Sequence, residues 1–285
     1  MYRIVQMNAS FFIKIILSNF VNGKEEKMES KVIEQTMYDY FKLVGKTAIV
    51  TGAGNGIGRG IAQVLAGLGA NVVACDIEKD SVEKTVEEIT AKGLNGIAVY
   101  CDVRKYGDIR NVIEAAVSTY GTVDILVNDA AGCGGGVTVD DITEEEWLRL
   151  IELNLNSVFR FTMSVLPIMR AKKSGKIVNI SSGAGITGDF SDPHYAAAKG
   201  GVIALTKELA HELAKDHINV NSVAPGLVDT RMARIRPWED EIADTLWYRV
   251  GQPEDIAYAV AYLASAAGEY CTGQVISPNG GAWMQ

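Results

Sequence analysis

From Thr47 onward, short apolar runs alternate with longer stretches in which apolar residues recur every three or four positions. The short runs, rich in Val and Ile, predict strands at 47–51, 71–75, 97–101, 125–128, 177–181, 218–223 and 274–277. The longer stretches predict helices near 57–68, 79–92, 105–119, 143–171, 194–215 and 253–265. Strands that are apolar throughout are covered on both faces, and regular alternation with amphipathic helices lays them parallel. The expected fold class is α/β, a doubly wound three-layer sandwich around a seven-stranded parallel sheet. It forms one domain from about residue 42 to residue 285, with no tandem repeat and no low-complexity tract.

Residues 1–41 break this pattern. The apolar run Phe11–Leu17 is interrupted by Lys14 and is far too short to span a bilayer. No small-residue cleavage site follows the weakly basic start, which argues against a signal peptide. Glu25–Lys31 is a charged patch of linker composition, and Met28 and Met37 are each an alternative start. The segment is expected to be a disordered extension or a start-site artefact, without a function of its own.

Composition narrows the function classes. A chain of 285 residues, 48% hydrophobic, can bury one substantial core. The diffuse net charge of −8 disfavours nucleic acid and anionic membrane as partners. Cys75, Cys101, Cys133 and Cys271 show neither C-x-x-C nor zinc spacing, so no metal site is expected and a reducing, cytoplasmic setting fits best.

The candidate chemistry is densest between Lys176 and Lys199. A strand there ends at Ser182, and a Gly/Ser-rich loop leads to a helix beginning near Pro193. Tyr195 and Lys199 lie four apart and so share one helical face, which lets an ammonium sit beside a phenol. A hydroxyl, a phenol and an ammonium at the carboxyl end of a strand suit a proton-coupled step on an alcohol or carbonyl. The same spacing recurs at Tyr38 and Lys42, but before the first strand and with Glu25 where a serine would be needed.

Other strand ends carry matching features. The first runs into Thr51-Gly52-Ala53-Gly54-Asn55-Gly56-Ile57-Gly58, where glycines let the backbone approach a diphosphate at a helix N-terminus. Asp76 ends the second strand, placed either to accept bonds from both adenosine ribose hydroxyls or to cap the following helix. With Asn55 neutral and no base at position 77, NAD is favoured over NADP. Cys101-Asp102-Val103 repeats the arrangement near the expected adenine site, and Asn128-Asp129-Ala130-Ala131-Gly132 ends the fourth strand with small residues where a cofactor would lie. Cys133 and glycines 134–136 extend that loop, and Asn154 and Asn156 both lie within the long helical segment without a pattern that separates them.

Together these stretches resemble the short-chain dehydrogenase/reductase family, in its common form of about 250 residues. The motifs occur in order: Thr51-Gly52-x-x-x-Gly56-x-Gly58, Asp76, Asp102, Asn128-Asp129-Ala130, Asn154, Ser182, Tyr195-x-x-x-Lys199 and Pro225-Gly226-x-x-x-Thr230. The resemblance implies a Rossmann-like sheet in the order 3-2-1-4-5-6-7. It implies Tyr195 as general acid/base, Ser182 as the group polarising the substrate oxygen, and Lys199 as the residue that bonds the nicotinamide ribose and lowers the tyrosine pKa. It selects Asn154 as the anchor of a proton-relay water. It assigns Pro225, Gly226 and Thr230 to the nicotinamide carboxamide, with Val228 bonding it through its backbone. Two departures stand out: Asp129 occupies the place of a usual Asn, and Lys215-Asp216-His217 lacks the arginine often found there in reductases acting on acyl-carrier protein.

The implied activity is interconversion of a secondary alcohol and a ketone with NAD(H), on an alicyclic or hydroxysteroid-like substrate. A 3-oxoacyl-[acyl-carrier-protein] reductase is the alternative, and a non-enzymatic dinucleotide sensor is disfavoured by the complete Ser182, Tyr195, Lys199 set. Segment 227–250 resembles the family's mobile lid and carries Met232, Trp238 and Trp247 for an apolar substrate body, with Arg231, Arg234 and Arg236 either meeting a substrate carboxylate or, the commoner fate, forming solvated surface. Ile186, His194 and Met232 are the candidate pocket residues, simple exposure being the other expectation for His194. Relatives are commonly tetramers, packed through helices 143–171 and 194–215, and Val275–Gln285 offers a second interface.

Overall fold

The computed structural model describes residues 38–188, 192–235 and 245–284. Two compact units divide at Phe41 and Lys42; of the first only residues 38–41, helical, are described. The extension's apolar run, its charged patch and both alternative starts lie outside the described residues, as do Arg236 and Trp238.

The second unit holds seven parallel strands in the order β3-β2-β1-β4-β5-β6-β7. These are β1 (Thr47–Thr51), β2 (Asn71–Asp76), β3 (Gly96–Tyr100), β4 (Ile125–Asn128), β5 (Gly175–Ile180), β6 (Ile218–Val223) and β7 (Val275–Ile276). Between them run α1 (Gly56–Gly67), α2 (Lys79–Thr90), α3 (Tyr106–Tyr120), α4 (Glu144–Ile151), α5 (Ser157–Lys172), α6 (Ala184–Thr187), α7 (Pro193–Leu213) and α8 (Pro253–Ala264). Strand side chains alternate between two cores. Ala48, Val50, Val72, Val127 and Val178 face Ile61 and Leu65 of α1, Ile89 of α2 and Val260 of α8. Ile49, Val73, Leu126, Ile177 and Val220 face Val112 of α3, Phe161 and Met169 of α5 and Leu213 of α7. The order reverses at β1, whose neighbours are β2 and β4, so a crevice opens at the carboxyl ends of β1 and β4. Among the described residues no helix is long and apolar enough to cross a membrane.

The long helix expected over 143–171 is broken. Between α4 and α5 lies a π turn, Glu152–Asn156, in which the Ser157 N–H reaches the Glu152 carbonyl five residues back. Such a bulge leaves carbonyls short of partners, and polar side chains supply them. The Asn154 amide donates to Leu150 O at 3.0 Å, and the Ser157 hydroxyl donates to Leu153 O. Between β5 and α7, the stretch expected to be only a loop contains the single helical turn α6.

Candidate active site

The crevice is lined first by the turn after β1. The Thr51 hydroxyl oxygen accepts from the N–H groups of Asp129 and Ala130, each at 3.0 Å, which ties the end of β1 to the end of β4. Gly52 has φ +67°, and a Cβ there would stand 2.9 Å from Ala130 Cα; only glycine combines that dihedral with that contact. A Cβ on Gly56, also at positive φ, would stand 3.0 Å from the Thr230 methyl. The N-terminus of α1 opens on this turn with no acidic residue in its first turn. A bare-backbone cradle at the positive end of a helix fits the diphosphate of a dinucleotide. Ile57, next in the turn, packs partly buried against the core.

Asp76 does two jobs at once. Its Oδ2 accepts from the Gly54 N–H and its Oδ1 from the Glu78 N–H, both at 2.9 Å, so it braces the glycine turn and starts α2. Glu78 gathers Asn55 Nδ2 at 3.1 Å and the Arg231 guanidinium at 2.5 Å. That guanidinium, with the hydroxyl of Ser81 and the Asn55 amide, holds the Glu78 carboxyl below the usual carboxylate range. Asp102 is taken up by its own neighbours: Arg104 bonds both carboxylate oxygens at 2.8 Å, and Val103 is buried in the core. Asn128 turns its amide into the sheet, donating to Asn179 Oδ1 at 2.8 Å.

The start of α7 sets the ammonium beside the phenol, and the turn that begins at Ser182 after β5 packs on the same helix. The Ser182 Oγ accepts from the Ala184 N–H at 3.2 Å, and the same turn presses against α7, where a Cβ on Gly185 would meet Lys199's carbonyl carbon at 2.6 Å. Lys199 Nζ sits 5.7 Å from the centre of the Tyr195 ring and donates to Ile180 O at 2.8 Å. Lys199 is 2% exposed. Burial pushes its ammonium down to about 8, against the opposing pull of the Asp129 carboxylate. A charged lysine beside a phenol favours phenolate, the form that accepts an alcohol proton.

Asn154 is the buried one of the two candidate amides. It clasps Gly132, accepting from its N–H at 3.2 Å and donating to its carbonyl at 2.9 Å, so the π turn anchors the loop after β4. Asn156 instead donates to Glu152. Asn154→Ala is expected to lower stability by about 2 kcal/mol, since buried backbone groups lose their partner. A thermal midpoint within error of the parent's would overturn that.

The substrate side differs from expectation. His194 is fully buried rather than exposed, packed where a Cβ on Gly134 would strike its ring at 2.2 Å, and both its nitrogens lack hydrogen-bond partners among the described residues. Ile186 is half-buried on α6, and Met232 is 37% exposed. Arg231 pairs with Glu78 and Arg234 with Asp229, and both arginine side chains remain largely exposed. Pro225 O accepts from the Gly183 N–H at 3.0 Å. Gly226 lies against Asn279, and Val228 bridges to Gly251. The Thr230 hydroxyl caps Ala233.

One residue escaped sequence reasoning. Trp283 lays its indole where a Cβ on Gly183 would be, at 2.2 Å, directly after Ser182. Its Nε1 is buried without a partner. The signal lay in pairing a glycine at 183 with a distant tryptophan, which no local pattern carries.

A sequence model described as short chain dehydrogenase matches residues 46–240. The chain is 41% identical over 251 residues to a 3-oxoacyl-[acyl-carrier-protein] reductase FabG of Staphylococcus epidermidis, covering 85% of this chain and 100% of the relative. The FabG protein of Thermotoga maritima is 40% identical over 251 residues, covering 84% and 98%. Among solved structures, 7 alpha-hydroxysteroid dehydrogenase complexed with NADH and 7-oxo glycochenodeoxycholic acid superposes with a TM-score of 0.81 at 36% identity, covering 85% of this chain and 96% of that one. The crystal structure of gox2181 superposes at 0.83 with 33% identity, covering 86% and 98%.

Proposed function

The chain belongs to the short-chain dehydrogenase family and is an oxidoreductase acting on carbonyl and hydroxyl groups, and from that premise we propose that it interconverts a secondary alcohol and a ketone with NAD(H). The carrying observation is the buried Lys199 ammonium beside the Tyr195 ring, against the turn that starts at Ser182. When bound, the dinucleotide supplies or accepts a hydride. Gly52, Gly56, Ile57 and Gly58 would hold its diphosphate, Asp76 its adenosine ribose, and Lys199 with the Pro225–Thr230 segment its nicotinamide end.

The protein's own part is proton management. Tyr195 holds the proton that moves to or from the substrate oxygen, Lys199 stabilises the phenolate left behind, and Ser182 donates a hydrogen bond to the same oxygen as charge develops on it. Asp76 would set a carboxylate against the ribose, with exposed Ile77 next to it and Glu78 already paired with Arg231, and the Asp76 charge disfavours a 2′-phosphate. Asp76→Ala is expected to reduce the preference for NAD over NADP by roughly 10- to 100-fold, the equivalent of one or two charged hydrogen bonds. Unchanged selectivity in kcat/KM would leave Asp76 as a brace for the turn alone.

The names of the curated relatives support a second reading, reduction of a 3-oxoacyl thioester on an acidic carrier protein. Against it, the turn after α7 carries Asp216, paired with Arg170 and Lys173, where reductases of that kind often carry an arginine. Absorbance at the reduced-nicotinamide wavelength, over secondary alcohols, steroid ketones and a 3-oxoacyl thioester, separates the readings. Turnover restricted to the thioester with NADPH would overturn the first.

A further inference from the structure

We propose that Asp129 is the counter-charge that keeps Lys199 a cation, and through it a positioning residue for the proton step; the inference rests on the oxidoreductase reading above. A buried ammonium is costly unless an opposite charge accompanies it. The hydrogen bond from Lys199 to the Ile180 carbonyl supplies a dipole, not a charge. Asn128 and Asn179 are the last paired residues of β4 and β5, so the next position on one strand is Asp129 and on the other Ile180. The carboxyl-bearing residue and the carbonyl that holds the ammonium therefore end adjacent strands.

Asp129 is fixed there. Its N–H is held by Thr51 Oγ1, and its Oδ2 lies 2.6 Å from the point a Cβ on Gly58 would occupy. The groups whose charge or dipole acts on it are the Lys199 ammonium from α7, the Gly58 N–H from α1 and the Asp76 carboxylate from β2. Burial drives Asp129 up to about 7 and Lys199 down to about 8, each toward its neutral form, and the charge of each opposes the shift of the other. While Asp129 is ionised it favours charged Lys199, and charged Lys199 favours the Tyr195 phenolate.

The isosteric change Asp129→Asn keeps an oxygen for the Gly58 N–H but removes the charge. In the full chain carrying 13C-labelled lysine, with the Lys199 resonance assigned by its loss in Lys199→Met, the variant should shift the lysine titration down by about one unit, a tenfold change in the neutral fraction at fixed pH. An unchanged or raised Lys199 titration overturns the proposal. Where Asp129→Asn fails to fold, the reciprocal measurement decides: with 13C-carboxyl aspartate, Lys199→Met should move the Asp129 titration upward, and no movement overturns it. These readouts need neither substrate nor cofactor. Absence of turnover over the alcohol and ketone panel would sink the oxidoreductase reading and leave these readouts standing, and their failure leaves that reading intact.

Discussion

Tyr195→Phe is expected to lower turnover by about 10³-fold while NADH binding changes less than about threefold. The deletion removes one oxygen from a ring whose place on α7 is fixed by helix packing, so the cradle formed by Gly52, Gly56 and Gly58 is untouched. What is lost is the proton carrier. Lys199 cannot replace it, because its ammonium is buried and already donates to Ile180 O at 2.8 Å. Ser182 cannot replace it either, because a free alkoxide is far more basic than a phenolate. A 10³-fold loss corresponds to about 4 kcal/mol of barrier, within the usual range for a general acid/base. The check pairs steady-state rates with quenching of protein fluorescence by NADH. Near-parental rates would remove Tyr195 from the reaction, and lost binding with lost rate would recast it as a cofactor residue.

Sheet and helices were legible because their signals are local. The runs at 47–51, 71–75 and 125–128 are apolar on both faces, which in a chain of alternating helices leaves a parallel strand as the physical solution. The break at Glu152–Asn156 was not legible, since helical periodicity hardly changes when one residue is inserted into a turn. What selects the bulge is a distant partner: Asn154 reaches Gly132, twenty-two positions away. The same limit hid Trp283, which meets Gly183 only after the chain has folded. The burial of His194 was hidden for a related reason. A polar side chain beside a motif offers no clue whether solvent, substrate or another residue faces it, and at His194 Gly134 does. Spacing placed Tyr195 and Lys199 on one face, but the burial that lowers the lysine's proton affinity comes from tertiary packing.

The glycine turn yields the second large effect, through two glycines of one helix. A Cβ on Gly58 would stand 2.3 Å from the Gly52 carbonyl oxygen, 2.7 Å from its carbon and 2.6 Å from Asp129 Oδ2. Two of those atoms are backbone, and Gly52 cannot retreat because Ala130 Cα already lies 2.9 Å from its own Cβ position. Gly58→Ala must therefore lift the first turn of α1 off β4, at a cost of about 3 kcal/mol for an overpacked site that cannot relax. That corresponds to a fall in thermal midpoint of roughly 6–12 °C. The displaced turn is the diphosphate cradle, so NADH affinity should weaken at least about 100-fold. Gly67, at the other end of α1, has nothing within 4 Å of its Cβ position. Gly67→Ala should gain about 0.5 kcal/mol by restricting the unfolded chain, with binding unchanged. Because helix propensity favours alanine at both places, opposite signs isolate the contact with Gly52 as the cause. Gly58→Ala with parental midpoint and affinity would mean that α1 shifts freely, and the cradle would then not be the rigid anion site that its packing implies.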